Sequence, residues 1–429
     1  MKDAEAARLD ALIASVHGAA QVLPALTAQN GATERVRLIE ALTRGQRVDP
    51  RFVYTPRKTE RAVHESLAAA RGLAHVSPAA ALYLARLDEL ELELRILEAI
   101  GDMHAVRPLA AQRYGTGAMS VALHPCESTA VAERREDTTT SALAAERRED
   151  TTTSALAADA RAAASIDASM TTVARAARVI LATTAIAAPE PRTLPADDAR
   201  GGPSAAAIVR EIALAAGVDV VVRVEPRLAA AAASGERMVL LAARAFGPRE
   251  ALRIAVHEVL GHLVSAINAR VQPLRLLEIG TANSFGDQEG VALVLEEDVG
   301  VLDTGRIRTL AARVLATDAM HAGMAFGDCA LLLLRDHGLA PDAAIAVTER
   351  AYRGGGVARD AGYLRGWRRV RCAIAAASTS VDELRMGRVG VDDVGALRRL
   401  VSAGVLRESV YRPTIDVALQ RAREFRNGV

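Results

Sequence analysis

Apolar residues recur at helical spacing over the first hundred positions of this chain. Leu9, Ile13 and Val16 form one such stripe, and Leu87, Leu90, Leu94, Ile96 and Leu97 form another. The pattern predicts helices from about residue 4 to about residue 110, packed as a bundle. Pro50-Arg51-Phe52-Val53-Tyr54-Thr55-Pro56 interrupts them as a proline-bracketed extended segment. Past residue 200 the period changes. Ser204–Ala215 reads as a helix and Val218–Val224 as a strand, by its β-branched content. Ser234-Gly235-Glu236 reads as a turn and Arg237–Ala242 as a second strand. After Phe246-Gly247-Pro248 a helix starts at Arg249. Beyond about residue 305 the pattern is helical again, broken at Arg353-Gly354-Gly355-Gly356. The expected class is α+β, mostly helical, with a small mixed sheet.

Composition narrows the function classes. The chain has 429 residues, 50% of them hydrophobic and 24% charged, enough for a sizeable core and too apolar for wholesale disorder. The formal net charge is +1, which gives no electrostatic footprint for nucleic acid or for an anionic membrane surface. No uninterrupted apolar run reaches the roughly 18 residues of a spanning helix. Met1-Lys2-Asp3-Ala4-Glu5 opens no signal peptide. Cys126, Cys329 and Cys372 are too scattered for a disulfide framework. The expectation is a soluble cytoplasmic protein. Lys2 and Lys58 are the only lysines among 53 basic residues, a bias that lowers the information carried by any one arginine.

Residues 132–144 recur identically at 145–157, a 13-residue duplication with no catalytic pattern. It reads as a solvated or disordered insert. The expected divisions are an N-terminal helical region over 1–130, an Ala/Thr-rich insert over 131–165 and a C-terminal domain over 166–429.

The chemistry concentrates in His257-Glu258-Val259-Leu260-Gly261-His262, on a helix predicted over Ala251–Asn268. Two imidazoles flanking a carboxylate suit a divalent metal of zinc type. The usual spacing places the histidines four apart. Here they are five apart, about 140° around an ideal helix. They can share one ion only if the turn is over-wound or bulged, and Gly261 beside His262 makes a π-bulge cheap. The competing reading is an ordinary helix with two unrelated histidines. A third donor weighs against it. Glu289, in Gln288-Glu289-Gly290-Val291-Ala292, opens a later helix and would complete a His₂Glu set with one open position. Glu296 and Glu297, further along, are candidates to orient the imidazoles.

Three blocks resemble the QEGLA-motif family, bacterial proteins described as flavohaemoglobin expression-modulating and related to the animal microtubule-associated tyrosine carboxypeptidases. They are His257–His262 followed by Gln272-Pro273-Leu274-Arg275-Leu276-Leu277, then Gln288–Ala292 with Val291 in place of Leu, then Arg350-Ala351-Tyr352-Arg353-Gly354-Gly355-Gly356 running on to Tyr363-Leu364-Arg365-Gly366. The family's Phe-Thr-Lys-Asp after the glycines stands here as Val357-Ala358-Arg359-Asp360.

The resemblance implies a zincin-like core, with the small sheet over the HExxxH helix, and a zinc-dependent carboxypeptidase. His257, His262 and Glu289 would bind Zn2+, and Glu258 would serve as general base toward the zinc-bound water. Tyr363 is the first candidate for oxyanion donor, with Tyr352 behind it. Arg353 is the first candidate to hold a substrate carboxylate, with Arg350 and Arg275 behind it. The Gly354–Gly356 triplet would cradle substrate backbone or serve as a plain loop. The implied partner is a peptide or protein C-terminus. The alternatives are a dipeptidyl-peptidase-like exopeptidase, an amide hydrolase on a non-peptide substrate, and a regulatory or binding protein that keeps only the fold.

Overall fold

The structure is a computed structural model, and it describes residues 2–116, 173–184, 190, 193–197, 202–226, 228, 230–235 and 237–426. The 13-residue duplication and the expected 131–165 insert lie outside the described residues.

The described chain is mostly helical, with three short strands in one sheet. Helices Lys2–Ala19, Gly31–Thr43, Arg61–Ala74, Ala80–Ala99 and Met103–Tyr114 form the N-terminal part. The apolar stripes read from the sequence are its core: Ile13, Val16, Leu87, Leu90 and Ile96 are fully buried. Residues 46–60 run between two of these helices with neither helix nor strand. The N-terminal part docks on the rest through charge pairs as well as apolar packing. Arg35 clamps Glu349 with two bonds, at 2.5 and 2.8 Å, and Arg47 reaches Asp328 at 2.6 Å. Among the described residues no helix is long and apolar enough to cross a membrane.

The sheet order is β1 (Val221–Glu225), β3 (Met238–Ala242), β2 (Ala232–Ser234), with β1 parallel and β2 antiparallel to β3. Two expectations needed correction. The first strand starts at Val221 rather than Val218, because Val218 closes the preceding helix, Ala205–Ala215. Gly217 takes φ +69°, its N–H bonds to the Leu214 carbonyl, and the Val218 N–H bonds to the Ala213 carbonyl at 2.9 Å. That double closure is a Schellman end and uses up the first residues of the β-branched run. Second, Ser234 belongs to β2 and not to a turn. An alanine-rich segment carries no strand propensity of its own. Pairing with the apolar β3 makes it a strand, and the Gly235 N–H closes the hairpin on the Met238 carbonyl.

The site helix follows β3. It begins at Pro248, one residue before the expected start, with proline in the first turn where no N–H is missed. Its free N-terminal amides are satisfied by the Glu190 carboxylate, which accepts from Arg249 N–H at 3.0 Å and Glu250 N–H at 3.1 Å. The rod continues as a π-turn segment, Val256–Leu263, and ends as Val264–Arg270. Behind it lie helix Ser284–Val299 and, on that helix's other side, helix Ala361–Ala375. The three are packed backbone to backbone. A Cβ on Gly261 would stand 2.8 Å from Ala292 Cβ, and a Cβ on Gly290 would stand 2.3 Å from the Gly366 carbonyl. Real Cβ atoms do not come so close, so these positions are fixed as glycine by the approach itself.

Candidate metal centre

The π-turn answers the spacing problem. Val264 N–H bonds to the carbonyl of Val259, five residues back. In such a turn residues five apart stack above one another, as residues four apart do in an α-helix. His257 and His262 therefore converge. Their Nε2 atoms lie 3.2 Å apart, with the rings at 85°. The widened turn is held from outside. Buried Arg385 donates from Nη1 to the Leu260 carbonyl at 3.1 Å, and Ser265 Oγ donates to the Gly261 carbonyl at 2.8 Å. Gly261 keeps an ordinary helical φ, so its use is the close approach to Ala292 and not the conformational freedom expected of it.

Glu289 arrives from helix Ser284–Val299. Its Oε2 lies 3.3 Å from His257 Nε2 and 3.7 Å from His262 Nε2. The three donor separations, 3.2, 3.3 and 3.7 Å, fit the edges of a tetrahedron whose centre lies about 2.1 Å from each corner, the bond length of a zinc-type ion. Glu289 Oε2 is buried with no hydrogen-bond partner, an arrangement that costs about 1–3 kcal/mol unless a cation meets it. Two imidazoles and one carboxylate, its Oε2 without a partner, fit such an ion. The His262 side chain keeps 24% of its surface exposed, so the cluster opens to solvent on that side.

The surroundings tune these donors. Glu296 lies seven residues after Glu289, on the same helix face, and its Oε1 takes His257 Nδ1 at 2.7 Å. Glu296 is fully buried. Burial alone would raise its pKa, but the Arg306 charge, the His257 bond and the Arg253 charge hold it down at about 2. Burial works against the His257 imidazolium, yet contacts with Glu289 and Glu296 and the nearby Glu258 charge push it up to about 9. Glu289 is held well below the usual carboxylate range: burial opposes this, and the two imidazoles overcome it. Protons thus occupy, electrostatically, the position that suits a cation. Glu297 has no part in orienting the histidines. One residue further round the helix, it accepts from Trp367 Nε1 at 2.9 Å and pairs with Arg371.

The neighbouring motif residues are scaffold. Gln288 Nε2 donates to the Leu384 and Val389 carbonyls at 2.9 and 3.0 Å, pinning the loop that carries Arg385. Asp287 holds Arg369 with both oxygens. Asn283, at φ +59°, starts the Glu289 helix, and its N–H bonds to Glu89 at 2.8 Å.

The remaining sequence candidates separate clearly. Glu258 is buried beside His257 on the π-turn. Tyr363 faces Phe285 edge-on. Burial chiefly, with the Glu289 charge second, raises its phenol pKa, while Arg350 and Arg313 act against them. Tyr352 is occupied: its hydroxyl donates to the Met324 carbonyl at 2.8 Å. Arg350 is locked on Asp360 through two bonds, at 2.5 and 2.8 Å. Arg353 sits in the same cluster: burial first, then the like charges of Arg350 and Arg359, lower its pKa against the pull of Asp360, and its Nε is buried and unpartnered. Arg275 lines a cleft with Ala14, His17 and Arg388, away from that cluster. The glycine triplet takes φ of +67, +96 and +120° and packs on the N-terminal part. The Gly101 N–H bonds to the Gly354 carbonyl, and a Cβ on Gly354 would stand 2.6 Å from Leu26. It serves as a turn against the N-terminal part. Two site arginines escaped sequence reasoning altogether, Arg306 and Arg313, both on helix Thr304–His321. Their signal was a spacing of seven residues on one helix face, hidden by the abundance of arginine.

Comparison with known families gives one match. The profile of the microtubule-associated tyrosine carboxypeptidases covers residues 161–426, more than half of the chain. The chain belongs to that family. No curated protein and no solved structure matches. His257, Glu258, His262 and Glu289 all lie within the matched residues.

Proposed function

We propose that this chain is a zinc-dependent metallopeptidase of carboxypeptidase type with a zincin-like core, acting on the C-terminus of a peptide or protein. The observation that carries the reading is the tetrahedral spacing of His257 Nε2, His262 Nε2 and Glu289 Oε2 around a buried oxygen with no partner. These three residues would hold the ion, and Glu296 would fix the His257 tautomer by accepting from Nδ1. When bound, such an ion lowers the pKa of water toward about 7 and polarises the scissile carbonyl.

The chain's own residues do the rest. Glu258 accepts a proton from the attacking water at its carboxylate and passes it to the leaving amine. Tyr363, whose phenol stays protonated, donates its O–H to the developing oxyanion. Arg353 would hold the substrate carboxylate, with Arg350 fixed by Asp360. A site with only a structural role has no use for a buried carboxylate between its two histidines, and this supports an enzyme over a binding protein. The family match supports a carboxypeptidase over a dipeptidyl peptidase.

The test is metal content by mass spectrometry on untagged protein, for the wild type and Glu289→Ala. About one zinc per chain, lost in the variant, is the expected result. Peptides with free C-termini are then screened for release of the last residue. A wild type that retains no zinc after loading and removal of excess overturns the proposal.

A further inference from the structure

Helix Thr304–His321 lays Arg306 and Arg313 along one face, two turns apart. Arg306 reaches Glu296, with Nη2 3.5 Å from Oε1. Arg313 reaches Tyr363: its Cζ lies 5.8 Å from the ring centroid. The two guanidinium groups differ in what answers them. Arg306 shares the Glu296 carboxylate. Arg313 has its Nε buried without a hydrogen-bond partner, and among the described residues no carboxylate lies within ion-pair distance of it. Asp360, whose charge bears on it, has both oxygens taken by Arg350. Burial, then the like charges of Arg350 and Arg306, push the Arg313 guanidinium down to about 10, so it stays charged at neutral pH. Arg353 repeats the situation: the Asp360 charge bears on it too, and its own Nε is buried and unpartnered. The wall beside Tyr363 thus carries more cations than anions, in a place where unpaired charge is unfavourable.

The geometry points to a built anion site, and we propose that Arg313, together with Arg353, binds the free C-terminal carboxylate of the substrate. Arg350 is a positioning residue there, locked by Asp360. This rests on the peptidase reading above. A carboxylate is planar and accepts two parallel N–H bonds, which the guanidinium fork supplies. The terminal carboxylate is also only one residue from the bond to be cut, within about 3.6 Å of chain. Its anchor must therefore border the metal-ligand triad. Tyr363 supplies that border, since the Glu289 charge and the Arg313 guanidinium both act on it.

The test is calorimetric binding of an N-acetylated tripeptide, as free acid and as C-terminal amide, to the full zinc-loaded chain carrying Glu258→Gln. The acid is expected to bind at least about tenfold more tightly than the amide, the ratio a charge-assisted bond confers. Arg313→Gln is expected to bring the two close to equality, and Arg313→Lys to keep part of the difference. Arg313→Gln should melt no lower than its parent, because it removes an unpaired buried charge, whereas loss of a structural arginine would lower the melting temperature. If Arg313→Gln does not fold, Arg313→Lys decides: a ratio as large as the parent's overturns the proposal. An undiminished ratio in Arg313→Gln overturns it too. So does a parent that binds acid and amide alike, or binds neither. The two readings fail separately. Acid selectivity through Arg313 without release of any C-terminal residue by the wild-type protein sinks the peptidase reading and leaves the carboxylate site. Hydrolysis without acid selectivity does the reverse.

Discussion

Replacing Arg385 by methionine tests the central structural argument, that the metal centre depends on a π-turn held from outside. In a regular α-helix His257 and His262 would diverge by about 140° and share nothing. The widened turn over Val256–Leu263 brings them together, and Arg385 is the residue that reaches across to it, from Nη1 to the Leu260 carbonyl at 3.1 Å. Arg385 is 3% exposed, so water does not stand in for it. Its backbone is fixed in turn by Asn268 Nδ2, which donates to the Arg385 carbonyl, and by Gln288, which holds the flanking carbonyls. A hydrogen bond from a charged donor is worth about 1.5–3 kcal/mol, more than a neutral one. If that energy separates the π-wound from the α-wound segment, and only the π-wound form binds the ion, Arg385→Met weakens zinc binding by about ten- to 150-fold. The assay is zinc competition against a chromophoric chelator, with chemical denaturation run beside it to verify a folded variant. Methionine keeps most of the side-chain volume, so the packing around Leu260 is retained. Zinc affinity within twofold of wild type in a folded Arg385→Met protein would refute the reasoning, since the winding would then be set by something other than this contact.

Glu296→Gln removes the carboxylate that takes His257 Nδ1 at 2.7 Å and should lower zinc affinity about ten- to 100-fold without unfolding the chain, as read by the same competition. Gly290→Ala drives a methyl to within 2.3 Å of the Gly366 carbonyl and should destabilise by about 1–3 kcal/mol or more, measured by denaturant unfolding; a neutral result would mean that the two helices separate freely. His17, on the first helix, has its pKa lowered from 6.5 to about 4, by burial first and the Arg86 charge second. The unfolded chain therefore binds the extra proton between these values. Stability should fall as pH drops from about 6.5 toward 4, and His17→Gln should flatten that part of the profile of unfolding free energy against pH.

What could be read in advance was set by local periodicity and donor chemistry. The five-residue histidine spacing demanded a bulged turn, and the turn is there. Glu289 was legible because a His₂ set wants a third donor. Of the two acids further along, Glu296 orients His257 and Glu297 does not, because a step of seven residues returns to the same helix face and a step of eight does not. The sequence was silent where partners are distant and the recognised group is backbone. Arg385 answers a carbonyl 125 residues away, and nothing local distinguishes it among 51 arginines. β2 was missed because its three residues, Ala232-Ala233-Ser234, have no preference for a strand until β3 pairs with them. Gly261 was noticed for its conformational freedom, whereas its use is the missing Cβ against Ala292.

Among the described residues, several buried polar atoms without a hydrogen-bond partner belong to the candidate site and its neighbours. Glu289 Oε2, Glu296 Oε2 and the Nε atoms of Arg306, Arg313 and Arg353 are among them. A folded chain ordinarily removes such groups or lets opposite charges meet. Here they are kept apart. Glu289 is faced by two imidazoles, and Asp360, the carboxylate nearest the cationic wall, is already taken by Arg350. Two unmet demands of opposite sign therefore stand side by side, one for a cation at the triad and one for an anion at Arg313, with Tyr363 between them. The close glycine contacts, Gly261 on Ala292 and Gly290 on Gly366, hold the three helices at fixed distances. On the reading proposed above, an ion would meet the first demand and a substrate carboxylate the second, the condition that a C-terminal peptide bond held over a metal would satisfy.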